Sequence, residues 1–554
     1  MNDVRWTRAT CALFSGAAVL VFAVFRDYGI TWDEHFHDTY GKAALKHYLS
    51  GFADTEALTY FNLWLYGAAF DVVSAAAKRV LPFAEYESQH LAIAFAGLAG
   101  AAAAARMGQL AGGARAGFLA GLTLLAIPSW WGHMFINPKD IPFAAAMAWT
   151  LYWSMRAARE LPRPEIRTVI WLGISLGLSL GIRIVGLYAL VYPAFAVTFW
   201  MVVHARQSRS GIGQAFVRIC CAFLGACAIA YTVMLAFWPW ALRDPLHRPA
   251  EALAVFAATP WDINVLFDGR LVSSMGLPAS YLPVYLGVKL PLFVLAAAAV
   301  AAVCATRALV RRGRGALRPE TALLGFAALF PVALFLVARP VSYDAIRHFL
   351  FVLPPVAAVA AMGIDRLVTW TMQAAAPVRA AAMAAIAGIG VLHAAELRAI
   401  HPYQYVYYNQ LTHGTGGADG RFELDYWGSA YREAALRLDA FVASESPDHV
   451  QTVFVCAEGS SAAPYLSRDL ELSADDRSAD FYLSTTRLGC DREYEGKTIL
   501  TVARAGATLA VVKDRRALKR EGTDRLDAHP VAGALVAPRH PGLQRDGRPQ
   551  ADLD

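Results

Sequence analysis

Charge is scarce in this chain. Asp, Glu, Lys and Arg supply 17% of its 554 residues, where a soluble chain carries about 25%. A water-soluble globule of ordinary composition is therefore excluded. Also missing is a Gly-rich phosphate loop at a strand-to-helix turn, which argues against P-loop or Rossmann nucleotide chemistry. The first apolar run, 11–25, leads to no small-x-small cleavage site, so it reads as a signal anchor rather than a removed signal peptide. Cysteine is sparse. Of seven, Cys11, Cys220, Cys221, Cys227 and Cys304 lie in or beside apolar runs, where a thiol behaves as a small hydrophobe. The net charge of +6 calls for no nucleic-acid partner, because most Arg residues stand in short loops between apolar runs.

What fills the chain is hydrophobic sequence, 57% of it. Apolar runs of roughly 17–23 residues recur over the first 400 positions, each long enough to cross a bilayer as a helix. The basic clusters at 156–167, 204–210 and 305–320 are expected on the cytoplasmic side. Threading spans between them gives eleven crossings, at 9–25, 89–110, 115–131, 141–157, 167–184, 186–203, 217–238, 283–305, 320–338, 347–364 and 379–396. The N-terminus is then inside and the C-terminus outside. One further run, 58–81, would invert this order as a span, so it reads as an interfacial or re-entrant helix in a long external loop, 26–88.

Residues 1–400 thus form the membrane domain, and 401–515 have soluble composition. An amphipathic helix near 429–445 and strands at 452–456, 480–486, 497–504 and 507–513 predict a small external α/β domain. The tail 516–554, rich in Arg, Asp, Gly and Pro, reads as disordered. The fold class is mainly α, a polytopic helical bundle with interfacial helices and a C-terminal α/β domain.

The remaining charges collect at the outer rim. Asp33 and Glu34 stand in "TWDEHFH", directly after the first span. Alone they make a hydrated loop or a cap for a helix beginning near His35. Lys139 and Asp140, in "NPKD", sit where a helix returns into the bilayer, although Asn137–Pro138 also makes a plain turn there. Charges at that depth are costly and tend to be functional. Arg183, Lys289, Arg347 and His348 lie at the same rim, each individually explicable as a snorkelling side chain. Together these basic groups predict a site for an anionic head group such as a phosphate. A carboxylate takes a proton from an acceptor hydroxyl, and cations stabilise a phosphate leaving group. Chemistry needing both at an outer membrane surface is glycosyl transfer from a polyprenyl-phosphate sugar.

The order of "TWDE", the interfacial helix behind it, "NPKD" and "GLSLGIRIVGL" resembles the GT-C superfamily over roughly residues 9–400. It is most similar to the dolichyl-phosphate-mannose–protein mannosyltransferases and bacterial lipid A aminoarabinose transferases of glycosyltransferase family 39. The resemblance implies Asp33 as catalytic base, and Glu34 orienting it or meeting the acceptor. It implies Asp140 as part of the site, and Lys139, Arg183, Lys289, Arg347 and His348 holding the lipid phosphate. It implies inversion without a metal or other cofactor, at a bacterial inner membrane with the C-terminal domain periplasmic. The α/β appendage departs from the β-trefoil of the eukaryotic relatives, so the acceptor, whether glycolipid, glycan or protein, does not carry over.

Two other readings compete. A metal-dependent oligosaccharyl transferase would use Asp33, Glu34, His35 and His37 as ligands. A lipid-linked sugar transporter would show internal repeats, and none is evident. Finally, Cys456 and Cys490 are the two cysteines outside the spans. Both fall at strand ends of one small sheet on the oxidising side, which predicts a disulfide.

Overall fold

The computed structural model describes residues 2–204, 212–258, 262–313 and 318–520. Most of the basic cluster 204–210, part of that at 305–320, and the tail from 521 onward lie outside the described residues. Of the tail, Arg516–Arg520 forms a short helix.

Each of the eleven expected segments is helical. Among the described residues, eight helices are long and apolar enough to cross a bilayer, or nine when Ala114–Leu125 and Pro128–Ile136 count as one. Asp140–Glu160 carries charges at both ends, and Ile166–Leu180 is a shorter apolar helix of 15 residues. Helix Ala376–Ala399 leaves Val391 and Leu392 each 69% exposed, and Asn2–Val24 leaves Val19 70% exposed. Apolar surface on that scale is a lipid-facing surface. The chain is a membrane protein.

Two expected spans are not straight. The segment 115–131 bends by 65° between Leu125 and Pro128. The segment 283–305 breaks between helices Tyr281–Lys289 and Leu292–Arg312. Proline explains both, because it drives the preceding residue out of the helical region. Ile127, before Pro128, has ψ 115°, and Leu290, before Pro291, has ψ 138°. Pro291 also lacks the N–H that Gly287 would have bonded. Asn409 answers that loss: its Nδ2 donates to the carbonyls of Gly287 and Leu290 at 2.6 and 2.7 Å, and its backbone N–H donates to Val288 at 2.8 Å.

The segment 26–88, expected as an external loop, folds into helix Trp32–Leu49, short 3-10 turns, and helix Ala69–Val80. The latter has 12 residues, about 18 Å of helix, too short for the roughly 30 Å of a bilayer core. Its start is tied to two helix ends: Ala68 N–H donates to Phe237 and Ala69 N–H to Gly181, at 2.7 and 3.0 Å. Gly67 permits this, since a Cβ there would strike the Gly181 carbonyl.

The long loop after helix Ile212–Ala236 contains a hairpin of β1 (Asn264–Phe267) and β2 (Arg270–Ser273). The C-terminal unit has β3 (Gln451–Val455), β4 (Leu470–Leu472), β5 (Phe481–Thr485), β6 (Lys497–Arg504) and β7 (Ala507–Asp514), in sheet order β4-β3-β5-β7-β6. Helix Tyr431–Glu445 precedes them in the chain. Strand β4 is too short to show an alternating pattern. Because β3 and β5 run parallel, their C-terminal ends meet at one edge. There Cys456 and Cys490 form a disulfide with Cα atoms 6.4 Å apart. Residues 401–430 are a connector bonded to the bundle, and the α/β unit itself begins at Tyr431.

Helix packing is tight enough to test. A Cβ on Gly363 would collide with the Ala297 carbonyl of the neighbouring helix, whereas Gly388 faces open space. Gly363→Ala is expected to cost about 1–3 kcal/mol, lowering the unfolding temperature of the solubilised protein. Gly388→Ala should leave it unchanged or raise it, as alanine is the better helix former.

Candidate active site

"TWDE" starts a helix. Thr31 is its N-cap, and Glu34, three residues on, reaches back to accept from the Thr31 N–H at 2.8 Å. Glu34 is 0% exposed and also receives Gln89 Nε2 at 3.2 Å and faces His90 Nε2 at 3.0 Å. Its carboxylate therefore joins the helix start to helix Glu85–Gly112 and is closed off from solvent. Neighbouring helical residues point about 100° apart, so Asp33 turns the other way. Its side chain is 38% exposed.

Asp33 is met by Arg347, whose Nη1 donates to its Oδ2 at 2.9 Å. Arg347 is buried at the start of a 3-10 turn that leads into helix Leu353–Gln373. Its Nη2 lies 3.2 Å from Asp344 Oδ2 and 3.3 Å from His348 Nε2, and its Nε lies 3.8 Å from Asp140 Oδ2. The guanidinium also faces the rings of Trp427 and Tyr343, at 4.7 and 5.0 Å from their centroids.

"NPKD" builds the next wall. Asn137 Oδ1 accepts the Asp140 N–H at 2.7 Å, and its Nδ2 donates to Asp140 Oδ2 at 3.1 Å. This side-chain turn starts helix Asp140–Glu160 and aims the carboxylate. Asp140 Oδ1 takes Arg183 Nη2 at 2.6 Å. Arg183 reaches it from extended backbone just past helix Ile166–Leu180. Lys139 lies over Tyr66, with Nζ 3.1 Å from the ring centroid. Among the described residues it has no carboxylate partner within ion-pair distance.

The fold thus gathers Asp33, Asp140, Arg183, Arg347 and His348, with Lys139 at the edge. Lys289 lies apart: it is buried, donates to the Tyr405 carbonyl at 3.1 Å and faces the Tyr408 ring. The four candidate metal ligands do not converge. Asp33 meets Arg347 and Glu34 turns inward. His35 lies 3.5 Å from the Tyr86 hydroxyl, and His37 pairs with Asp71 at 2.8 Å. A cleft of about 590 Å³ between helices Trp32–Leu49 and Ala69–Val80 is also basic, but its Lys42 and Lys46 are paired with Asp38 and Asp54 at 2.8 and 2.6 Å.

Two partners had no distinct signal in the sequence. Asp344 lies within "YDAIRHF", in the loop after helix Pro319–Ala338, and Arg487 lies in "TTRLGC" of the C-terminal unit. Arg487 Nη2 contacts Asp344 Oδ1 at 2.7 Å. Burial pushes the Asp344 carboxyl up from its ordinary value, while Arg487 and Arg347 pull it back. Nearby Glu423, in the connector, is pushed up to about 7 by burial, with Arg487 opposing.

No protein-family model matches the sequence, and no curated protein matches it. Among solved structures the chain is similar to ArnT from Cupriavidus metallidurans in the apo state, at 16% identity, with 92% of this chain and 98% of that chain covered and a TM-score of 0.51. The same ArnT bound to undecaprenyl phosphate matches at 15% identity over 91% and 97%, TM-score 0.49. The archaeal oligosaccharyltransferase AglB from Archaeoglobus fulgidus, in complex with an inhibitory peptide and a dolichol-phosphate, matches at 12% identity over 86% and 69%, TM-score 0.48. At such identities the likeness is one of fold. The chain shares the fold of apo ArnT: a mainly helical membrane bundle with a small C-terminal strand region.

The raised Glu423 has a pH consequence. The folded protein keeps a proton that the unfolded chain releases from about pH 4.3. Stability is therefore lost as pH rises from there through about 7. Glu423→Gln should match wild type in thermal unfolding at pH 4 and exceed it at pH 8. An equal difference at both values would remove Glu423 as the cause.

Proposed function

We propose that the protein is an integral-membrane glycosyltransferase. It moves a sugar from a polyprenyl-phosphate donor to an acceptor on the extracytoplasmic face of a bacterial inner membrane. The observation that carries this reading is the half-exposed Asp33 carboxylate set against buried Arg347, beside Arg183 and the carboxylate-free Lys139. Such a wall accommodates one further anion. A phosphate suits it, because guanidinium groups bind phosphate oxygens and an ammonium adds a point charge.

In the reaction Asp33 accepts the proton of the acceptor nucleophile. The acceptor atom forms its bond to the anomeric carbon from the side opposite the phosphate, which inverts that centre. The bond from the anomeric carbon to the phosphate oxygen breaks, and its electron pair stays on the phosphate. Arg347 and Lys139 stabilise that charge where it develops. This places leaving-group stabilisation on the chain's own cations, so the reading includes no divalent metal.

Sidedness has its own support. Arg487 of the C-terminal unit touches Asp344 beside Arg347, so the unit and the site share one face. That unit carries the Cys456–Cys490 bond, and disulfides persist in oxidising compartments such as the periplasm.

Asp33→Asn keeps the size of the side chain but cannot take a proton. Transfer to the acceptor is expected to fall by about 10²–10⁴ fold, with membrane insertion intact. A well-folded Asp33→Asn enzyme turning over at the wild-type rate would end the assignment. Turnover by wild type should be the same with and without EDTA. Abolition by the chelator, restored by a divalent ion, would favour a metal-dependent transferase.

A further inference from the structure

The loop between β5 and helix Cys490–Glu493 belongs to the C-terminal unit, yet its Arg487 is buried against the membrane domain. The loop is held from several sides. Cys490, three residues on, is bonded to Cys456. Tyr482 donates from its hydroxyl to the Cys490 carbonyl at 2.9 Å, and Tyr431 likewise to Cys456 at 2.8 Å. Leu488 and Gly489 turn the chain through left-handed backbone, with φ 53° and 78°.

From that turn the Arg487 guanidinium reaches a neighbour of each half of the Asp33–Arg347 pair, Trp32 beside Asp33 and Asp344 beside Arg347. It lies over the Trp32 ring, next to Asp33, at 4.9 Å from the centroid. Its Nη1 donates to the Tyr426 carbonyl, and its Nη2 takes Asp344 Oδ1 at 2.7 Å. The other oxygen of Asp344 takes Arg347. Asp344 and Ala345 both have left-handed backbone, φ 59° and 57°. Alanine pays for that conformation, which persists only where surroundings enforce it. The two arginines on Asp344 supply such enforcement.

We propose that Arg487 is a positioning residue of the transferase site, acting through Asp344 to fix where the Arg347 guanidinium points. The disulfide-braced loop is then a working part of the site. This rests on the phosphate-binding reading of Arg347 given above. The physical reason is charge sharing. Asp344 is 2% exposed and divides its two oxygens between two cations. Without Arg487 a buried carboxylate is left with Arg347 alone and draws it from Asp33, because a buried charge stripped of a partner is strongly destabilised. Replacing Asp344 by Asn removes that pull while keeping an acceptor for Arg347.

The test is binding of undecaprenyl phosphate to the full-length solubilised protein, titrated by native mass spectrometry. Arg487→Met is expected to weaken binding about tenfold, within the coupling range of contacting charged residues. Arg487→Lys should recover part of the loss. In Asp344→Asn/Arg487→Met the second change should cost less than about threefold relative to Asp344→Asn alone. A merely structural role lowers thermal stability but gives neither lysine rescue nor this coupling. Wild-type affinity in Arg487→Met, or a double variant that loses the product of the single losses, overturns the proposal. If Arg487→Met does not fold, Arg487→Lys carries the same comparison in both Asp344 backgrounds. Arg347→Ala separates the two readings. If it binds the probe as wild type does, the phosphate reading falls and this one with it. If Arg347→Ala loses binding while Arg487 variants do not, only the positioning role is lost.

Discussion

The buried guanidinium of Arg347 is the group that the rest of the site answers to. A charge withdrawn from water has to be paired and hydrogen-bonded. Arg347 meets that demand with Asp33 from helix Trp32–Leu49, Asp344 from its own loop, His348, and the faces of Trp427 and Tyr343. Asp140 stands at 3.8 Å and is itself engaged by Arg183. These groups come from separate elements, so one electrostatic requirement ties helix Trp32–Leu49, the bundle and the connector together. Breaking a buried pair of this kind typically costs about 3–5 kcal/mol.

A second constraint is backbone hydrogen bonding away from water. Pro291 interrupts a helix and leaves the Gly287 carbonyl without its usual donor. The connector supplies one through Asn409. Gly132 allows the same connector to lie against its helix, since a Cβ there would meet the Tyr405 backbone nitrogen. Once held in this way, the connector brings Tyr426 and Trp427 to the site, and the following α/β unit brings Arg487. What composition marks as a soluble appendage is joined to the bundle by its buried polar groups.

Much of this was legible in order. Charges are so rare in the first 400 residues that Asp33, Asp140, Arg183 and Arg347 stood out by position, and the structure gathers them. Glu34 and Lys289 stood out equally and went elsewhere. Position shows that a charge lies near a rim, but not which way it turns. Glu34 is one residue and about 100° around the helix from Asp33, so it faces inward to Gln89 and His90. Lys289 ends a helix that Pro291 cuts short, and it finds the Tyr405 carbonyl instead of the Arg347 cluster. Arg487 was invisible because an arginine in a soluble stretch is unremarkable by composition.

The sequence by itself determined the membrane bundle, the helices along it, four strands of the C-terminal sheet and the list of rim charges. Those features follow from local quantities: hydropathy over a helix length, alternation over a strand, and the positions of charges beside apolar runs. Only the tertiary structure decided which carboxylate meets which cation, that Asp344 bridges Arg347 and Arg487, and that the C-terminal unit reaches this cluster. Ion pairs between residues far apart in the chain depend on how whole elements pack, and no local pattern records them.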